Sequence, residues 1–156
     1  MTARPSFTYE LPNRHFVKVT LSDGESTIYL YPSFLIDPLA LLIGAIISLL
    51  KGVEEMHFDW YDEPGTWRWK LRRTSEGLKI NILRFDVSHA PPSDEKGELE
   101  FSGKFDLLRF AVLVRGALRQ LLNEHSMKGY KELWSYDFPM SEYRKLDELI
   151  KEEKQR

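Results

Sequence analysis

Two periodicities run through this chain, and they divide it into strands and helices. In residues 15–21 and 26–31, Val17, Val19, Ile28 and Leu30 alternate with Lys18, Thr20, Thr27 and Tyr29, and Asp23-Gly24 sits between the two runs. Asp-Gly supplies the positive φ angles of a tight hairpin turn. A turn there sets Val17 opposite Leu30 and Val19 opposite Ile28. Ahead of this hairpin residues 1–14 read as irregular, with Pro5 and Pro12, although Phe7, Tyr9 and Leu11 alternate and allow a short edge strand.

A second hairpin follows the same logic. Met56, Phe58 and Trp60 alternate with Glu55, His57, Asp59 and Tyr61. Beyond Pro64-Gly65, Trp67, Trp69 and Leu71 alternate with Arg68, Lys70 and Arg72. A two-residue loop at Pro64-Gly65 pairs Trp60 with Trp69, Phe58 with Leu71, Asp59 with Lys70 and Tyr61 with Arg68. Such alternation implies one buried face and one wet face. A strand over 78–86 turns Leu78, Ile80 and Ile82 inward. Phe85 breaks that parity, which places a bulge or twist near Leu83. Residues 87–96 read as a long polar loop. Residues 97–104 read as a last strand, with Leu99 and Phe101 inward and Glu98, Glu100 and Ser102 outward.

Helical spacing takes over elsewhere. Residues 38–51 are apolar nearly all round, which marks a helix buried on most sides. Asp37 caps it, Pro38 suits its first turn, and Lys51 and Gly52 end it. Gly44, Ala45 and Ser48 form a strip where another element could come close. A second helix covers 107–125, capped by Asp106, with Phe105 and Phe110 as a hydrophobic staple. Its inward stripe is Leu107, Phe110, Ala111, Val114, Leu118 and Leu121, and Arg109, Arg115, Arg119 and Asn123 lie mostly off it. A short helical piece spans 129–134. A final helix covers 140–153, with Tyr143, Leu146, Leu149 and Ile150 on one side and a charged, fraying tail at 151–156.

The order ββαββββαα predicts an α+β fold in two layers: an antiparallel sheet of about six strands with apolar helices on one face. At 156 residues the chain is expected to be a single domain over 1–156, with 1–14 and 151–156 loosely ordered.

Composition removes several chemistries. The chain has no cysteine, which rules out thiolate catalysis, cysteine-ligated zinc and iron–sulfur clusters. A cysteine-free chain fits a reducing, cytoplasmic compartment. Lysines and arginines number 22 against 24 acids, a net charge of −2, so a general attraction to nucleic acid is not expected. No apolar run follows the N-terminal residues, so no secretory signal is expected. The apolar run Leu39–Leu50 is too short to cross a membrane, which takes about 20 residues.

The densest set of chemically capable residues is the wet face of the second hairpin: Glu55, His57, Asp59, Tyr61, Arg68, Lys70 and Arg72. It reads first as a solvated face with cross-strand pairs and second as a binding face. Catalysis by His57 with Asp59 comes last, because residues two apart on a strand stand about 6.6 Å apart. His57, Asp59, Asp62 and Glu63 are spread along an edge rather than converging on a metal, so no metal site and no cofactor are expected. Trp60, Trp67 and Trp69 share the parity of the core. His89 lies in the Pro-Pro loop, where compact domains often carry function, and His125 near a helix end. Arg68, Lys70, Arg72, Arg73 and Lys79 could form a basic stripe, but Glu55, Asp59, Glu98 and Glu100 flank it, and cancellation is expected.

No serine, histidine or glycine motif of a known catalytic or phosphate-binding kind is present. The expectation is therefore a non-enzymatic protein-interaction module of accessory, regulatory or toxin-neutralising type. Its binding surface would comprise His57, Asp59, Tyr61, Arg68, Lys70, Arg72 and His89, with the turn at 62–66 and the loop at 87–96. The alternative is a small-ligand-binding protein or enzyme with a pocket between sheet and helices, near Trp67, Trp69 and His89. A homodimer through helical surfaces is a further expectation, because the helix over 38–51 needs cover on every side.

Overall fold

A computed structural model of the chain describes residues 3–62, 64–87 and 93–156. The fold is α+β. Seven strands among these residues form two antiparallel sheets, not one sheet of about six. The first sheet is β1 (Ser6–Asn13), β2 (Phe16–Ser22) and β3 (Thr27–Leu30), in that order. The second is β4 (Glu55–Tyr61), β5 (Thr66–Thr74), β6 (Gly77–Phe85) and β7 (Glu98–Phe105), also in chain order. The helices are α1 (Pro38–Leu50), α2 (Leu107–Trp134) and α3 (Met140–Lys154). The N-terminal stretch expected to be irregular is mostly the edge strand β1. The C-terminal helix continues through Lys154, further than the charge of its tail suggests.

Both hairpins keep the expected faces but shift the expected register by two residues. Val19 pairs with Leu30 and Leu21 with Ile28. Phe58 pairs with Trp69, Trp60 with Trp67, Asp59 with Arg68 and His57 with Lys70. The cause is the turns. Asp23 Oδ1 accepts the N–H groups of Glu25 at 2.9 Å and Ser26 at 2.8 Å, opening the first turn to span 23–26. In the second, the N–H of Asp62 donates to Gly65 O at 3.1 Å across a turn over 62–65. A shift of two preserves the side of every residue, because the strand period is two.

The irregularity expected near Leu83 is a bulge on the facing strand β7, while β6 keeps its alternation through Phe85, and the bulge moves Leu99. Ile82 pairs with Phe101, but Leu83 pairs with Leu99, so Glu100 is the extra residue. The parity of β7 flips there. Leu99, expected inward, lies on the outer face at 55% exposure. Phe85 is buried on that same outer face, with Arg68 over its ring at 4.8 Å.

The inner faces of both sheets and the three helices share one hydrophobic core. α2 packs on β1, α1 on β4, and α3 on α1 and α2. Trp60, Trp69, Leu71, Ile80 and Ile82 are fully or almost fully buried. β3 lies beside β7. There the backbone N–H of Lys104 donates to Asp23, so the first hairpin's turn is tied to the edge of the second sheet. Burial pushes the Asp23 carboxyl up, but the N–H groups of Ser26, Glu25 and Lys104 outweigh it and hold the group below the usual carboxylate range.

Pro38, Leu39, Leu42, Ile43, Ala45, Ile46, Ile47 and Leu49 of α1 are buried by other parts of the chain, and Leu41 stays 40% exposed. The small-residue strip is not a close crossing at Gly44, where an added Cβ would meet nothing within 4 Å. Asp37 and Asp106 cap their helices through Ala40 N at 3.2 Å and Arg109 N at 2.9 Å. The staple rings of Phe105 and Phe110 are 5.2 Å apart. Asp106→Ala should therefore cost about 1 kcal/mol, read as a lower urea midpoint with an unchanged m-value. α2 kinks at Ser126, which has φ 63° and ψ 172°. Its Oγ accepts Gly129 N at 3.2 Å and restarts the helix, so the piece expected over 129–134 is the second segment of α2. Arg115, expected off the inward stripe, is only 8% exposed. Its guanidinium meets Asp147 of α3, whose approach the α2 sequence does not reveal. Among the described residues no helix is long and apolar enough to cross a membrane.

Candidate protein-docking face

The outer face of the β4–β7 sheet is organised in rows that cross the strands. In the first row Asp59 stands opposite Arg68 and accepts Nε at 2.9 Å and Nη2 at 3.2 Å, a two-pronged pair. Asp94 reaches in from a short 3-10 turn, Asp94–Lys96, and takes Arg68 Nη1 at 3.0 Å and Lys70 Nζ. The hydrogen bond from Lys70 holds the Asp94 carboxyl below its ordinary range. Burial works against this, and Arg68 adds to the lowering. Asp59 in turn pushes the Arg68 guanidinium further up. The segment that delivers Asp94 also covers Phe85, because Gly97 packs on its ring. Thr66 Oγ1 donates to Val87 O at 2.7 Å beneath it. One end of the face is thus roofed and its charges are neutralised within the fold.

The second row is His57, Lys70, Asn81 and Ser102. The third is Glu55, Arg72, Lys79 and Lys104. Arg72 faces Lys79 directly, and Lys79 faces Lys104 directly. Like charges in direct cross-strand register destabilise a sheet. Glu55 stands opposite Arg72, and Glu76 pairs with Lys104 at 3.2 Å with both side chains exposed. Among the described residues neither Arg72 nor Lys79 belongs to an ion pair. Glu55, His57, Lys70, Arg72, Lys79 and Asn81 line a shallow depression of about 300 Å³ on this face.

The five cations weighed as a basic stripe, for which cancellation was expected, are split three ways. Arg68 and Lys70 are neutralised by Asp59 and Asp94. Arg73 leaves the face altogether, and its Nε donates to Leu49 O at the end of α1 at 3.0 Å. Arg72 and Lys79 remain, joined by Lys104. At the turn, Asp62 Oδ2 accepts Trp67 Nε1 at 2.7 Å and Arg84 Nη1 at 2.6 Å, while Arg84 lies over the Trp67 ring at 4.6 Å.

Of the residues expected to form a binding surface, His57, Lys70 and Arg72 are exposed together. Asp59 and Arg68 are largely consumed by each other. Tyr61 is half-buried opposite Thr66 rather than Arg68. His89 lies outside the described residues. With both oxygens of Asp59 engaged by Arg68, this carboxylate is not set up to orient His57. Trp60 and Trp69 fill the space between sheet and helices with rings 4.8 Å apart. Among the described residues no three potential ligands cluster for a metal.

Three contributors escaped the reading of the sequence. Lys104 continues the outward parity of Ser102, a signal that was available. Asp94 sits in a loop, and its reach to Arg68 has no periodic signature. Leu99 depends on which residue bulges.

Fold and face together define a class: an α+β protein of two antiparallel meanders under three helices, with a charged sheet face held rigid at one end. No protein-family model matches this chain, and no curated protein or solved structure does either.

Proposed function

We propose that this chain is a non-enzymatic protein-interaction module that docks through the outer face of the β4–β7 sheet. The observation that carries this reading is the row of Arg72, Lys79 and Lys104 in direct register on three adjacent strands. A sheet face selected only for stability would alternate charge signs across strands, as the Asp59–Arg68 row does. Keeping three cations abreast costs stability, and an external anionic partner recovers it. Leu99, 55% exposed, adds apolar surface further along the face. Interfaces combine such apolar contacts with a charged periphery that sets specificity and encounter rate.

The test is site-specific photo-crosslinking in native lysate, with the crosslinker at Leu99, Ser102 or Tyr31. Tyr31, just past the end of β3, is a control away from this face and is also exposed. The expected result is one partner captured from Leu99 and Ser102 but not Tyr31, which rebinds as a purified protein. Capture only from Tyr31, or no rebinding by the purified candidate, overturns the reading.

A further inference from the structure

The same face also points to the chemistry of its partner. We propose that the row Arg72–Lys79–Lys104 is the docking site for an acidic protein segment that presents carboxylates about one strand spacing apart. This rests on the docking-face reading above. Three observations select this occupant. First, Arg72 and Lys79, which belong to no ion pair among the described residues, stand abreast of Lys104 in a chain of net charge −2, so the row offers complementarity to an anionic partner. Second, neighbouring strands lie about 4.8 Å apart, so the three cations repeat at a spacing close to that of acids at i and i+4 on a helix, about 5–6 Å. Third, the face around the row carries exposed Glu55 and Glu100. A continuous phosphate backbone laid along this face would meet those carboxylates, whereas a discrete acidic segment fits between them.

The geometry also makes a demand that few functional sites make. Lys79 stands between Arg72 and Lys104, so Lys79→Glu turns two repulsive contacts into two attractive ones. Binding and stability should move in opposite directions.

The experiment uses the full chain and a fluorescein-labelled, alanine-based helical peptide with glutamate at every fourth position. Its glutamine counterpart and an oligothymidylate are the comparison probes, all at low salt so that surface charges are weakly screened. The expected result is saturable binding of the glutamate peptide, none of the glutamine peptide, and weaker binding of the oligothymidylate. Lys79→Glu should weaken the glutamate peptide by at least about tenfold, while Tm holds or rises. Lys128→Glu, the same charge change on an exposed part of α2, should leave affinity unchanged.

Equal loss in both variants, or no binding to the wild type, overturns the proposal. Tighter binding of oligothymidylate also overturns it and assigns the row to nucleic acid. A fall in Tm that tracks the lost binding makes Lys79 structural and does the same. A partner crosslinked from Leu99 but indifferent to Lys79→Glu would keep the docking face and remove the acidic occupant, so the two readings fail separately.

Discussion

Replacing Trp60 by alanine should remove about 4 kcal/mol of stability, the largest single-residue effect expected in this protein. The indole is fully buried. It packs 4.8 Å from the Trp69 ring and 6.0 Å from the Phe58 ring. Its Nε1 donates to Pro38 O at 3.0 Å, joining β4 to the first turn of α1. Truncation therefore opens a cavity at the junction of sheet and helix and breaks a buried hydrogen bond at once. Trp60→Phe separates the two contributions. It keeps most of the apolar volume and loses the hydrogen bond, worth about 1 kcal/mol, together with some packing. Domains are stable by about 5–15 kcal/mol, so the alanine variant should sit near the edge of folding at 37 °C. Urea unfolding followed by circular dichroism measures both. A loss under about 1 kcal/mol for Trp60→Ala would show that the junction is not packed as described.

Asp147→Ala should have the next largest effect, on the order of 3 kcal/mol. Asp147 gathers three cations at the α2–α3 seam. Arg115 Nη1 lies at 2.9 Å, Arg119 Nη2 at 3.2 Å and Lys151 Nζ at 3.0 Å. Arg119 and Lys151 are exposed, and their pairs add little, since surface ion pairs are worth about 0–1 kcal/mol. Arg115 is different. Its side chain is only 10% exposed, so losing Asp147 leaves a buried guanidinium without its anion. That desolvation, not the attraction itself, sets the size of the effect.

The pH dependence follows from the same contacts. The hydrogen bond from Lys151 lowers the Asp147 carboxyl most. Burial opposes it, and Arg115 lowers it further. A carboxylate depressed in the folded state contributes stability above its unfolded value, near 3.9. That contribution is lost as the pH falls through the lower folded value. The stability difference between wild type and Asp147→Ala should therefore be constant above about pH 5 and shrink below about pH 4. Asp94 carries a depression of the same sign on the sheet face, so the wild type should lose both contributions over that acid range. Asp37 runs the other way. Burial raises its carboxyl against the cap bond from Ala40, with Glu142 adding to the rise. It favours the folded state at low pH, and that contribution is lost as pH rises through its raised folded value. A difference between wild type and Asp147→Ala that stays flat down to pH 2 would contradict the proposed pairing.

The sequence by itself determined which way most strand residues face, where the helices begin, and that antiparallel strands and apolar helices enclose one apolar layer. These are local properties. Alternation at period two assigns Trp60, Trp69 and Leu71 to the inside whatever the register. A capping aspartate such as Asp37 or Asp106 needs only its own next three residues. Tertiary structure decided everything that depends on counting across a gap. The hairpin registers moved by two because Asp23 and Asp62 organise longer turns than Asp-Gly and Pro-Gly suggest. Leu99 went outward because the bulge consumed Glu100. Arg115 was buried because α3 brought Asp147 to it. The row of Arg72, Lys79 and Lys104 exists only once two registers are set. Parity put those residues on one face, but only the pairing of β5, β6 and β7 put them abreast. Contacts of that kind depend on loop lengths and packing partners far apart in the chain, and no window of local sequence contains that information.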